Sequence, residues 1–267
     1  MTSTLVFNLA AVVTLVPASL LALRAEAKRD QTFWWLTAVA TVGSCAWTVV
    51  QLGSQWNAGL TGALWVIVAV TLVLFVFVAG GTREGWRLGP LLFPYLLLLG
   101  ILATIWEAAP AQPFLATAPA AWLRIHILVS VTAYGLLTLA SVAGLSVFMQ
   151  ERALKQKRRP PLAGVLPSIA DGEFLQVRLL AASAAVLAVG LLSGMATEYY
   201  ETGAVLRFDH KTLLSLLTFA VIVGLLAAHA RTGVRGRGAA RLVLLAYLLL
   251  TLAYPGVKFV ADVLLGR

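Results

Sequence analysis

The chain has 267 residues, of which 60% are hydrophobic and 12% are charged, and its mean hydropathy is +0.91. Soluble domains carry about 25% charged residues, so this composition excludes a soluble enzyme, a disordered chain and a nucleic-acid-binding domain. The net charge of +9 fits basic loops that face anionic lipid. The single cysteine, Cys45, leaves no disulfide framework, CxxC motif or thiolate metal cluster.

Hydrophobic segments predict eight transmembrane helices. A hydrocarbon layer of about 30 Å requires about 20 apolar residues per helix. Residues 66–80 show no alternation of apolar and polar residues, which disfavours a closed β-barrel. The predicted helices are residues 3–23, 33–53, 60–79, 90–106, 122–150, 178–197, 210–229 and 242–265. We therefore expect an all-α integral membrane protein with one membrane domain over residues 1–267.

Basic residues predict how these helices are oriented. Fourteen of the 20 Lys and Arg residues lie in the odd-numbered loops, whereas the even-numbered loops and the termini contain only Arg207 and Arg267. By the positive-inside rule, the odd loops are cytoplasmic and both termini are extracytoplasmic. The first segment has no basic residue before it and no small-residue cleavage site, so we expect a retained helix rather than a signal peptide.

The longest predicted loop, residues 151–177, is basic and cytoplasmic and separates two halves of four helices each. The first half covers residues 1–106 and the second covers residues 120–265. The basic runs at 155–161 and 235–241 are typical of positive-inside loops, and a surface for a partner is the alternative. No internal repeat relates the two halves, which disfavours an inverted-repeat transporter.

The three histidines are the main candidates for chemistry, because ionisable residues inside a membrane are rare. His126 opens the fifth predicted helix and His210 opens the seventh, so both lie at the extracytoplasmic boundary. His229 ends the seventh helix, about 28 Å from His210 at a rise of 1.5 Å per residue. No chain of buried carboxylates accompanies them, which argues against a proton-coupled transporter.

The outer pair, His126 and His210, is compatible with an iron site. The positive end of a helix favours the neutral imidazole, which is the form that binds metals. Two such rings from neighbouring helices could hold a haem iron axially. Ser130, Ala133 and Tyr134 follow His126 at helical spacing, and the small residues leave room for a flat macrocycle. The basic residues that could pair with haem propionates at this level are Arg124, Arg207, Lys211 and Lys258.

Other interpretations of the same residues stay open. A zinc ion would need further ligands, for which Asp209 and Glu107 are available. Each histidine, His229 included, could instead be an interfacial residue with a single hydrogen bond. The basic side chains could extend to lipid head groups, and Lys258 could pair with Asp262 four residues later.

Residues 120–260 also contain four short motifs of a known family. Residues 126–134 resemble a family helix that begins with a haem-ligand histidine and has a tyrosine eight residues later. Residues 191–194 resemble the family's LSG segment, residues 229–236 resemble its HTR segment, and residues 254–259 resemble its YxGVNF segment. The chain is thereby similar to the integral-membrane cytochrome c assembly family, of the CcsA, ResC and CcmC type. The first four helices resemble it only in hydrophobicity.

The sequence departs from this family around the second outer histidine. Members that attach haem carry a tryptophan-rich WWD-type loop, whereas the corresponding residues 205–212 contain no tryptophan and include His210. The family's own second outer histidine would fall near Leu265, where none is present. This pattern is similar to the shorter eight-helix, HemX-like and YpjD-like branch, and it points to His210 as the replacement ligand.

The resemblance implies haem handling at the bacterial cytoplasmic (inner) membrane. It implies a non-enzymatic protein that binds haem b through its iron and acts as an accessory in cytochrome c biogenesis, with Tyr134 beside the site. The implied partners are haem, membrane lipid and proteins of cytochrome c maturation or haem synthesis, and not nucleic acid. The alternatives are a regulatory or scaffold protein that acts through residues 151–177, and a small-molecule transporter.

Overall fold

The computed structural model describes residues 2–24, 28–53, 59–107, 119–157, 161–204, 207 and 209–264. These residues form helices and no strand, and eight helical segments are long and apolar enough to cross a membrane. The helices are α1 (Thr2–Ala22), α2 (Gln31–Gly53), α3 (Leu60–Gly81), α4 (Gly89–Ile105), α5 (Ala120–Lys155), α6 (Ile169–Thr202), α7 (His210–Thr232) and α8 (Gly236–Thr251). The predicted all-α fold with eight membrane-crossing helices is confirmed, while the predicted side of the termini stays a prediction.

The predicted loop at residues 151–177 is wrong in extent, because most of it is helical. α5 ends at Lys155 and α6 begins at Ile169, so only residues 156–168 connect the two helices. Hydropathy identifies only the apolar part of a helix, whereas good helix formers such as Glu and Arg continue it into water. The earlier start of α6 is fixed by Ser168, whose hydroxyl accepts a hydrogen bond from the Asp171 backbone as an N-cap.

The eight helices pack as two halves, α1–α4 and α5–α8, and the main contact between the halves is α3 against α5. This contact is close because Gly135 of α5 has no side chain. A Cβ added there would lie 2.8 Å from Leu74 Cδ1 of α3. Small residues permit such close helix packing in membranes. Within the second half, α5 and α6 form the most extensive pair.

A buried asparagine joins three helices of the first half. Asn8 of α1 is fully buried, and its Oδ1 accepts hydrogen bonds from the indole nitrogens of Trp47 (2.8 Å) and Trp65 (2.7 Å). Trp47 belongs to α2 and Trp65 to α3. Because an unpaired polar group is costly inside the bilayer, these bonds fix the relative positions of the three helices.

Beyond α8 the chain continues as wide π-helical turns, Leu252–Gly256 and Phe259–Leu264. Pro255 lies in the first of them and has no backbone N–H to continue an α-helical hydrogen-bond pattern. π-helical turns occur frequently at functional sites. Below, the end of the bundle where α1, α3, α5 and α7 begin is called the His126 end, and the opposite end is called the basic end.

Candidate functional site

A cavity of about 640 Å³ lies at the His126 end between the two halves of the bundle. Its volume falls within the range of roughly 300–1,000 Å³ that is typical of small-molecule and cofactor sites. Thr48, Gln51 and Thr61 line it from the first half, and His126 and Tyr134 line it from the second. The first four helices therefore contribute to the cavity.

α5 presents one face to this cavity, and His126 is part of that face. The lining residues of α5 are Leu123, His126, Ile127, Ser130 and Tyr134, which follow the spacing of a single helix face. By contrast, the Arg124 side chain is exposed and does not line the cavity. One residue rotates the helix by about 100°, so Arg124 points away from the face that carries His126.

The His126 ring rests against α6. Its Nδ1 lies 2.8 Å from the hydroxyl of Ser193, and a Cβ added to Gly194 would lie 3.1 Å from the ring carbon Cε1. The serine thus bonds the ring, and the following glycine leaves room for it. One turn later on α6, the Trp122 indole donates to the Thr197 hydroxyl at 3.1 Å and also joins α5 to α6.

Tyr134 lines the cavity and belongs to a hydrogen-bonded group of three tyrosines. Tyr134 is buried, and its hydroxyl lies 3.1 Å from that of Tyr247 and 3.0 Å from that of Thr251. The Tyr247 hydroxyl also bonds to Tyr95 of α4. Of these tyrosines, only Tyr134 was predicted from the sequence, because the three come from different helices and share no local motif.

The cavity is lined by three of the four basic residues considered for propionates, namely Arg207, Lys211 and Lys258. Lys258 lies two residues beyond Gly256, the last residue of the first π-helical turn. The alternative pairing of Lys258 with Asp262 is not tested, because the Asp262 side chain lies outside the described part of the structure.

Four carboxylates line the same cavity: Glu107, Glu198, Glu201 and Asp209. Glu198 and Glu201 were not predicted from the sequence, because α6 runs to Thr202 and not to the predicted end at residue 197. In the described part of the chain, no group of three or more His, Cys, Asp or Glu residues could hold a metal ion. The zinc alternative therefore has no ligand set there.

Asp209 caps the first turn of α7. Its carboxylate accepts a hydrogen bond of 2.8 Å from the Thr212 backbone N–H. Partial burial by itself would raise the pKa of Asp209, but the hydrogen bonds from Thr212 and the electrostatic interactions with Lys211 and His210 outweigh it and lower the pKa. Asp209 is therefore a stable anion at the cavity edge.

The other two histidines lie outside the cavity. The His210 side chain is exposed and does not line the cavity, although its neighbours Asp209 and Lys211 do. The structure thus does not bring the rings of His126 and His210 together. At the basic end, His229 donates from Nδ1 to the Val234 carbonyl at 3.0 Å, which fits the interpretation as an interfacial residue with one hydrogen bond.

Comparison with known proteins identifies the family of the chain. A family model described as "Cytochrome C assembly protein" matches residues 33–265. The chain belongs to the cytochrome c assembly protein family. The match includes α2–α4, so the family similarity reaches well into the first half, beyond the hydrophobicity that the sequence analysis compared.

One relative matches this chain over the whole length of both proteins. It is an uncharacterized 28.8 kDa protein in the nifR3-like 5′ region of Azospirillum brasilense, and it is 53% identical over 271 residues, with 100% of each chain covered. Family membership, together with the eight apolar helices, supports a multi-pass membrane protein with a role in cytochrome c biogenesis and haem handling.

Proposed function

We propose that this protein binds haem b in the cavity at the His126 end and handles it for cytochrome c biogenesis, with His126 as an axial ligand. One observation carries the proposal. The His126 ring lines a cofactor-sized cavity, and its Nε2 has no hydrogen-bond partner among the described residues. A neutral ring nitrogen without a partner is what an axial ligand requires.

The chemistry of the cavity suits an amphipathic ligand with a flat apolar ring and two carboxylates. Ile127, Leu187 and Leu250 supply apolar wall, and the buried Tyr134 also lines the cavity. The cations Arg207, Lys211 and Lys258 line the cavity, and they are proposed to pair with the propionates through charge-assisted hydrogen bonds. Bound haem would supply a redox-active iron, while the residues of the chain bind it, orient it and exclude water from it.

His210 is proposed as the second axial ligand, which requires the first turn of α7 to turn toward the cavity. Two observations support this movement. His210 lies between Asp209 and Lys211, which already line the cavity, and α7 is the least buried of the eight described helices. A helix with less buried surface loses less packing when its first turn moves. By the basic-residue distribution, the His126 end is proposed to face the extracytoplasmic side.

The test is the absorption spectrum of the protein purified from haem-sufficient cells. We expect a low-spin haem in the natural protein and loss of haem in His126→Ala. The matched control is His229→Ala, which removes a histidine at the basic end and should retain haem. Full haem content in His126→Ala would overturn the proposed site.

His210→Ala tests the second ligand separately. We expect it to retain haem with reduced affinity and to convert the low-spin spectrum into a high-spin one, because one axial position loses its imidazole. An unchanged low-spin spectrum would remove His210 as a ligand and would leave the role of His126 intact.

A further inference from the structure

We propose that Ser193 is a positioning residue that fixes the tautomer of His126, with the proton on Nδ1 and the lone pair on Nε2. The purpose of this arrangement rests on the proposed function, since Nε2 would be the nitrogen that meets the iron. The tautomer itself belongs to the protein without ligand, so it can be measured independently of haem.

The Ser193 hydroxyl has one hydrogen and two neighbouring atoms that could accept it. A serine hydroxyl donates one hydrogen bond and can accept two. The Ser193 oxygen lies 3.0 Å from the Gly190 carbonyl and 2.8 Å from His126 Nδ1. A carbonyl oxygen only accepts, so the serine hydrogen is used at Gly190. The second bond then needs a hydrogen from Nδ1.

The opposite tautomer would make one hydrogen bond fewer. If Nδ1 carried the lone pair, Ser193 would have to donate to it and would give up its bond to Gly190. Serines in helices commonly donate to the carbonyl of the preceding turn. Ser193 is only 8% exposed, so water does not readily replace a lost bond at this position. The tautomer with a proton on Nδ1 is therefore favoured.

The contact of the His126 ring with Gly194 and its bond to Ser193 hold the ring in this orientation. The Cε1 edge of His126 lies against Gly194, as the 3.1 Å distance to an added Cβ shows. A ring flipped by 180° would place a carbon at the Ser193 hydroxyl and lose the bond. Nδ1 is thus committed to α6, and Nε2 is the ring nitrogen left for a ligand. Metal-binding histidines generally donate their other N–H to an oxygen in this way.

The experiment is nitrogen-15 NMR of the protein labelled at histidine, in lipid nanodiscs at about pH 8, where histidine is ordinarily neutral. The chain has three histidines, so single His→Ala variants assign every signal. His229 is an internal reference, because its Nδ1 faces the Val234 carbonyl and must carry the proton. We expect His126 to show the same pattern as His229, with a protonated Nδ1 and an unprotonated Nε2.

Ser193→Ala should shift His126 toward a mixture of tautomers and leave the His229 signals unchanged. The matched control is Ser183→Ala. Ser183 is also a buried serine of α6 and donates to a carbonyl of α5, that of Ala133, at 3.1 Å. Its replacement should leave His126 unchanged. Ser193→Thr retains the hydroxyl and should restore the natural pattern, which separates the bond from a general effect on folding.

Haem titration gives a second readout. Loss of an outer hydrogen bond to a metal ligand commonly weakens metal binding by about 10- to 100-fold, and we expect this loss for Ser193→Ala, with recovery in Ser193→Thr. A proton on Nε2 of His126 in the natural protein, or a tautomer unaffected by Ser193→Ala, would overturn the proposal. If the tautomer is as expected but no haem binds, the proposed function fails and the role of Ser193 stands.

Discussion

Gly194→Ala should weaken haem binding without destabilising the protein. The added Cβ would lie 3.1 Å from His126 Cε1, whereas carbon atoms prefer separations of about 3.5–4.0 Å. The ring must then move by roughly 0.5 Å, which stretches its 2.8 Å bond to Ser193 to about the limit for an N–H···O bond. Because the bond is weakened rather than removed, we expect haem affinity to fall by about 3- to 10-fold, below the loss for a missing outer bond.

Gly194→Ala should make the ligand-free protein slightly more stable. Replacing glycine by alanine inside a helix favours the helix by up to about 1 kcal/mol. Gly224→Ala in α7 is the matched control, since a Cβ there meets nothing within 4 Å. Thermal unfolding and haem titration of both variants check the prediction. If Gly194→Ala binds haem as tightly as Gly224→Ala does, the His126 ring does not lie against Gly194.

Three further predictions concern the surroundings of the site. Tyr247→Phe removes a hydroxyl bonded to two other tyrosines, so thermal unfolding should show a destabilisation of about 1–3 kcal/mol. Haem affinity should stay unchanged, because Tyr247 does not line the cavity. Gly236→Ala should be destabilising by about 1–2 kcal/mol, since Gly236 has a φ of +65°, where a Cβ lies too close to the following carbonyl oxygen. Gly238→Ala, whose added Cβ meets nothing within 4 Å, should unfold no earlier than the natural protein. Lys258→Gln should weaken haem binding by up to about fivefold at low salt, and an unchanged titration there would exclude Lys258 as a propionate partner.

The helix number was predictable because lipid makes the length of an apolar segment the deciding quantity. Helix ends were not, because α5 and α6 continue into water through polar residues that favour a helix as strongly as apolar ones do. This difference also concealed Glu198 and Glu201, which lie in the part of α6 beyond the predicted end. The contact of His126 with α6 was not predictable either, because it depends on how α5 packs against α6, and no local sequence pattern contains that information.

Side-chain direction explains the different outcomes for His126 and His210. His126 lies seven residues into α5, so the apolar and small residues after it fix which way it faces. His210 is the first residue of α7, where no preceding turn restricts it, and depth in the membrane does not determine direction. Arg124 illustrates the same point, because it shares its level with His126 but lies on another face of α5.

The helices on the two sides of the cavity therefore differ in how tightly they pack against the rest of the bundle. His126 is held by α5 and α6, the most extensively packed pair in the bundle, through a bond to Ser193 and a close contact with Gly194. Lys211 belongs to α7, the least buried of the described helices. Elements with few buried contacts open at low free-energy cost. For the proposed haem site, this difference predicts that haem enters and leaves past α7 while His126 stays in place.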